Sequence, residues 1–157
     1  MVRLFFTLLV TLISFSSFVI EDDHSCLKVK GIVLDKTGKK ISNVDVTLYE
    51  NGQEISKLNT AVPFKMPLVC NRYYSMIIKA SGHLPSLIVF DTTVPENQAH
   101  RDFQYQFECK LVGEENNYNK NYLDFPSAII KYVKAENGFT HSEKYNKHIK
   151  KLVGIKM

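Results

Sequence analysis

The side chains that could do chemistry are few and scattered. Five histidines occur, at His24, His83, His100, His141 and His148. A metal needs three or four such ligands gathered at short, patterned spacing. Only His141 and His148 share a spacing, i and i+7 on one face of an expected helix, and no third ligand stands near them. They read as packing or surface residues. The run His100-Arg101-Asp102 has the residue types of an acid–base site. Neighbours in a polar loop point apart, however, and no nucleophile accompanies them. Asp22, Asp23 and His24 could hold a metal weakly, but a frayed chain end is the simpler reading. G-x-S-x-G and H-E-x-x-H are absent, and the seven glycines are scattered instead of forming a phosphate-binding loop. Neither catalysis, nor a cofactor, nor a bound metal is expected.

What remains is contact surface. Tyr49, Tyr73, Tyr118 and Tyr122 fall off the expected core face or in loops. A tyrosine ring is flat and amphipathic, suited to sugars and peptides. Strand surfaces also favour tyrosine for its β propensity alone. Near the C-terminus, Tyr145, Ile149 and Leu152 form an i, i+4, i+7 stripe, able to dock a helix on the chain itself or on a partner. Tyr49, Tyr73, Tyr145, Ile149 and Leu152 are therefore the candidate ligand or partner contacts.

Charge narrows the partner. Residues 21–112 carry 11 basic and 11 acidic side chains, whereas 113–157 carry 8 Lys against 5 acids, so the excess lies in the C-terminal quarter. Arginine, the residue of bidentate nucleic-acid readout, occurs only at positions 3, 72 and 101. Nucleic acid is not expected as a partner. The cysteines, Cys26, Cys70 and Cys109, have no CxxC spacing, and their odd number leaves a thiol over in an exported chain. Cys109 continues the alternating row Phe103, Tyr105, Phe107, which favours a core thiol. A Cys70–Cys109 bridge is the alternative.

Residues 1–20 have the pattern of an export signal. Arg3 precedes the apolar run LFFTLLVTLI, then come Ser14, Ser16 and Ser17, then the acids Glu21-Asp22-Asp23. Cleavage between Ser16 and Asp22 is expected; an uncleaved anchor is the alternative, short for a bilayer span. No other segment is long and apolar enough to cross a membrane, so the mature protein is expected to be soluble. None of the 11 Asn stands in Asn-x-Ser/Thr, which fits a bacterial envelope.

The elements that must position these residues are short strands. Residues 27–35 alternate, as do 44–49. Asn51-Gly52 is a strong hairpin signal leading into 53–58. Pro63 and Pro67 restrict 64–66 to an edge or loop. Further strands are expected at 73–80, 86–92 and 103–112, with Val46, Ile78 and Phe107 buried. No helical period appears before residue 127, which excludes architectures built on strand–helix alternation. Residues 113–124 read as a polar linker. Within 125–157, Ala128–Val133 is expected as a strand, and Thr140-His141-Ser142-Glu143 as the capping box of a helix ending before Gly154.

Val29-Lys30-Gly31-Ile32-Val33-Leu34-Asp35, Gly38, Ile41 and Val44-Asp45-Val46-Thr47-Leu48-Tyr49 resemble the opening of a carboxypeptidase-regulatory-like domain. The resemblance continues through Tyr74–Ile78, Lys79-Ala80-Ser81-Gly82-His83-Leu84 and Ile88-Val89-Phe90-Asp91-Thr92. It spans about residues 27–112. It implies an antiparallel seven-stranded, prealbumin-like β-sandwich of the transthyretin type, with a short C-terminal strand and helix added, and a structural or ligand-contacting role without catalytic residues. This chain has His83 where the family commonly has Tyr. Residues 124–152 are also similar to a tail on small exported envelope proteins carrying this domain. The expectation is a non-catalytic exported module that binds or scaffolds in a bacterial envelope, its partner a protein or a glycan. A carbohydrate- or peptide-binding domain with an aromatic-lined site is the alternative.

Overall fold

The computed structural model describes residues 25–114 and 125–153. Among them the chain forms β1 Ser25–Leu34, β2 Asn43–Glu50, β3 Gln53–Ala61, β4 Phe64–Val69, β5 Tyr73–Lys79, β6 Ser86–Asp91, β7 Phe103–Lys110, β8 Ala128–Val133, β9 Gly138–His141 and α1 Glu143–Val153. A 3-10 turn, Glu96–Gln98, occupies the polar loop before β7. The expected signal segment, 1–20, and residues 115–124 of the expected linker lie outside the described residues, as do Tyr118 and Tyr122.

The strands form two sheets, ordered β4-β1-β7 and β3-β2-β5-β6-β8-β9. The protein is mainly β, as its period-2 patterning requires. It departs from the expected antiparallel sandwich: both sheets are mixed, and beyond β1–β7 and the expected C-terminal strand, β8, the described residues form a further strand, β9. β1 runs parallel to β7, with Leu27 beside Phe103 and Leu34 beside Lys110, and β6 runs parallel to β8. Parallel neighbours need a long crossover, and alternation within a strand carries no record of its neighbour's direction.

Local chemistry explains the turns. Asn51 (φ 49°) and Gly52 (φ 84°) both take the left-handed backbone that a two-residue hairpin requires, and they close β2 on β3. The Asp35 carboxylate accepts the Thr37 hydroxyl at 2.6 Å and the Thr37 and Lys39 N–H groups at 2.8 and 3.0 Å. Those bonds, the Thr37 hydroxyl foremost, hold its pKa below the ordinary value. Pro67 is tolerated within β4 because β4 is an edge strand.

One buried cluster joins the sheets. Leu27, Val29, Val33, Met66 and Leu68 come from one, and Val46, Met76, Ile78, Phe90 and Ile130 from the other. Val46 and Ile78 are fully buried, as expected. Phe107 is only half-buried, although its alternating strand pointed to full burial. Its strand, β7, ends its sheet, so one flank of the ring has no neighbouring strand. Gly31 pairs with Phe64 on β4 and Phe107 on β7. A Cβ there would overlap the Phe64 ring, which explains a glycine inside a central strand.

Cys70 is bridged to Cys26, and Cys109 is buried and free. The Cys70–Cys109 alternative is thereby overturned. Antiparallel pairing of β1 with β4 sets Ser25 beside Val69, so the chain leaving β4 brings Cys70 to Cys26, with Cα atoms 5.4 Å apart. The same turn is pinned by Thr92. Its fully buried Oγ1 lies 2.7 Å from the Val69 carbonyl and accepts the Arg72 N–H at 2.9 Å.

The tail is anchored on the domain. β8 extends the larger sheet, with Ser127 N–H donating to the Leu87 carbonyl at 2.6 Å. Phe103 meets Phe139 and Tyr132 edge-on, with centroids at 5.3 and 5.7 Å. Arg101 lies over Phe103 and donates to Asn137 at 2.9 Å. At the near end of the expected linker, Gly113 bridges to His83 and Glu114 N–H donates to the Gly82 carbonyl.

Candidate functional site

The larger sheet has an outer face whose rows follow from its register. Tyr49 lies beside Ser75, Ser75 beside Val89, and Val89 beside Ile129. The row on one side is Thr47, Ile77 and Leu87; the row on the other is Tyr73, Asp91 and Lys131. Residues two apart on a strand share a face, so Tyr49 and Tyr73 are diagonal neighbours across β2 and β5. Tyr49 is half-buried, while Tyr73 is 57% exposed. Arg72 and Glu50 form an ion pair at 3.5 Å at the same end of these strands. Two of the candidate contacts thus come together on the outer face, while Glu50, opposite the buried Tyr74, belongs to the other face of the sheet.

The other candidates lie on α1. Ser142 caps this helix, its Oγ accepting the Tyr145 N–H at 3.3 Å. The cap is two residues later than the expected Thr140, because Thr140 and His141 belong to β9. His141 and His148 therefore do not share a helix face; His141 Nδ1 lies 3.4 Å from the Tyr105 hydroxyl instead. The Tyr145 hydroxyl donates to the Pro126 carbonyl at 2.8 Å and Ile149 is buried. Burial raises the Tyr145 pKa above its ordinary value. These two side chains hold the helix to its own domain. The Leu152 side chain lies outside the described residues.

The remaining sequence candidates stay apart. Arg101 turns to Gln98 and Asn137, while Asp102 pairs with Lys28 at 3.2 Å. The Cys109 thiol is pushed up in pKa by burial, partly offset by a hydrogen bond from Ser86. Among the described residues no three His, Cys, Asp or Glu side chains gather to hold a metal. No described helix is long and apolar enough to cross a membrane.

Two features escaped the sequence reading. Lys28, Lys30 and Lys65 meet on the outer face of the smaller sheet, with Lys30 directly opposite Lys65, around a shallow depression that also involves Pro67 and Gln104. Alternation along β1 puts Lys28 and Lys30 on one face, and only pairing with β4 brings Lys65 to them. The apolar outer row of the larger sheet did leave a trace: Met76-Ile77-Ile78, Leu87-Ile88-Val89-Phe90 and Ala128-Ile129-Ile130 are continuous apolar runs, the mark of strands partly covered on both faces.

No family model and no curated protein matches this chain. Solved structures similar to it include catechol 1,2-dioxygenase from Pseudomonas arvilla C-1, at TM-score 0.40 and 14% identity over 58% of this chain and 53% of that one. Another is 3-chlorocatechol 1,2-dioxygenase from Rhodococcus opacus 1CP, at TM-score 0.41 and 12% identity over 59% of this chain and 62% of that one. A third is the mercury-inhibited catechol 1,2-dioxygenase from Acinetobacter sp. ADP1, at TM-score 0.39 and 12% identity over 55% of this chain and 52% of that one. The chain spans less than two thirds of each of those proteins. Likenesses at such scores and identities carry no conclusion about its chemistry.

Proposed function

We propose that this chain is a non-catalytic, exported β-sandwich module of prealbumin-like type, binding or scaffolding a protein partner in a bacterial cell envelope. The Cys26–Cys70 bridge carries the proposal. Such bridges persist in oxidising compartments outside the cytosol, and residues 1–20 have the pattern that would deliver the chain there. Two sheets enclosing one core support the sandwich. Expression of the full chain in a bacterial host, with N-terminal sequencing and thiol titration of the recovered protein, tests it. The expected product starts between Ser16 and Asp22 and releases a single free thiol on unfolding. A full-length chain held in the membrane, or three free thiols, counts against export and cleavage.

The alternative, a carbohydrate- or peptide-binding domain, draws support from the shared face of Tyr49 and Tyr73. Screening glycans and extended peptides against the native chain and Tyr73→Ala separates the two. Binding abolished by Tyr73→Ala with the melting temperature unchanged favours a small-ligand site.

A further inference from the structure

β3 ends the larger sheet, and among the described residues no strand pairs with its outer edge. The smaller sheet does not cover it. Leu58 lies beside Val46 and shares its face, yet Leu58 is 37% exposed and Val46 fully buried. Ile55 is 50% exposed. Natural sheets blunt a free edge with short strands, proline, charged side chains or bulges. β3 carries Lys57 and one register shift near Glu54, but it runs nine residues, Gln53–Ala61, without proline, and its Ser56–Ala61 stretch pairs regularly with β2.

We propose that β3 is a self-association edge: it pairs antiparallel with β3 of a second copy of this chain, across a twofold axis through Leu58. In such a pair, residues equally spaced on either side of the axis face each other with side chains on the same face. Leu58 then meets Leu58, Ser56 meets Thr60 and Lys57 meets Asn59, all within the regular stretch; Ile55 stands at the register shift beyond it. Asn59 donates to the Asp45 carboxylate at 2.7 Å, so Lys57 of the second copy approaches an acid held one strand further in. Moving the axis to Lys57 would set lysine against lysine. Moving it to Ser56 would set Ile55 against Lys57 and Glu54 against Leu58. Like charges directly opposed destabilise a strand pair, and the Leu58 axis sets the exposed Leu58 against its own copy without such opposition. The two larger sheets become one continuous sheet.

Sedimentation of the mature chain over a range of concentrations is expected to show a monomer–dimer equilibrium. Leu58→Cys is expected to give a disulfide-linked dimer under oxidising conditions, since opposed Cβ atoms in an antiparallel pair come within bridging distance. Gln53→Cys, far from its own copy in this register, is expected not to cross-link. Leu58→Lys leaves an exposed position exposed, so its melting curve reports retained folding; it is expected to weaken the dimer by about tenfold or more. A monomer at every concentration overturns the proposal. So does a dimer that ignores Leu58→Lys, or one that cross-links at 53 and not at 58.

Discussion

At the scale of single residues, Gly31 shows how a side chain's absence can organise a core. It faces two phenylalanines at once, Phe64 and Phe107, whose rings meet edge-on with centroids 6.2 Å apart. Any Cβ at this position would push Phe64 out of a site where it is 3% exposed. Gly31→Ala is expected to destabilise the protein by about 1–3 kcal/mol, the usual cost of overpacking. Urea titration checks it, and an unchanged midpoint would mean that Phe64 shifts freely. The resemblance had included this glycine without a reason; pairing with both β4 and β7 supplies one.

At the scale of elements, α1 has eleven residues and would be marginal as an isolated helix in water. Its hold on the domain comes from the buried Ile149, the Tyr145 hydroxyl on Pro126, and the Ser142 N–H donating to the Ile129 carbonyl. Removing residues 142–157 is therefore expected to lower the stability of the remaining chain by about 2–4 kcal/mol, for one buried aliphatic side chain and its accompanying hydrogen bonds. Thermal and urea melts of the truncated and full chains compare the two directly. Equal stability, joined to loss of an envelope protein that co-purifies with the full chain, would transfer the helix to a partner. Of the i, i+4, i+7 stripe, Tyr145 and Ile149 meet the domain, and the Leu152 side chain lies outside the described residues. The stripe could not say which surface the helix would dock against, because that surface is made by β8, whose parallel pairing with β6 no local pattern encodes.

At the scale of the whole molecule, the Cys26–Cys70 bridge ties the first described strand to the β4–β5 turn across 44 residues. Closing a loop of that length restricts the unfolded chain, so the Cys26→Ser/Cys70→Ser double variant is expected to lose about 2–4 kcal/mol. Cys109→Ser should leave the bridge intact. In the native protein Cys109 should resist alkylation at neutral pH, because burial both shields the thiol and holds its pKa up. Mass spectrometry after iodoacetamide, before and after unfolding, reads both; rapid native labelling would contradict the buried placement.

The positions of β1–β8, the Asn51-Gly52 hairpin, the edge character of the Pro67 segment and the burial of Val46 and Ile78 were legible along the chain; β9, whose Thr140 and His141 were expected to start the helix, was not. Each legible feature rests on side-chain alternation or turn chemistry within a few residues. Strand direction, the half-exposure of Phe107, the partner of Cys70, the meeting of Lys28, Lys30 and Lys65, and the nearness of Tyr49 to Tyr73 were not. Each depends on which strands become neighbours, and a period-2 pattern says which face of a strand is buried but not what lies beside it. Residues 70 and 26, or 49 and 73, acquire a relation only when pairing between distant segments closes the sheets.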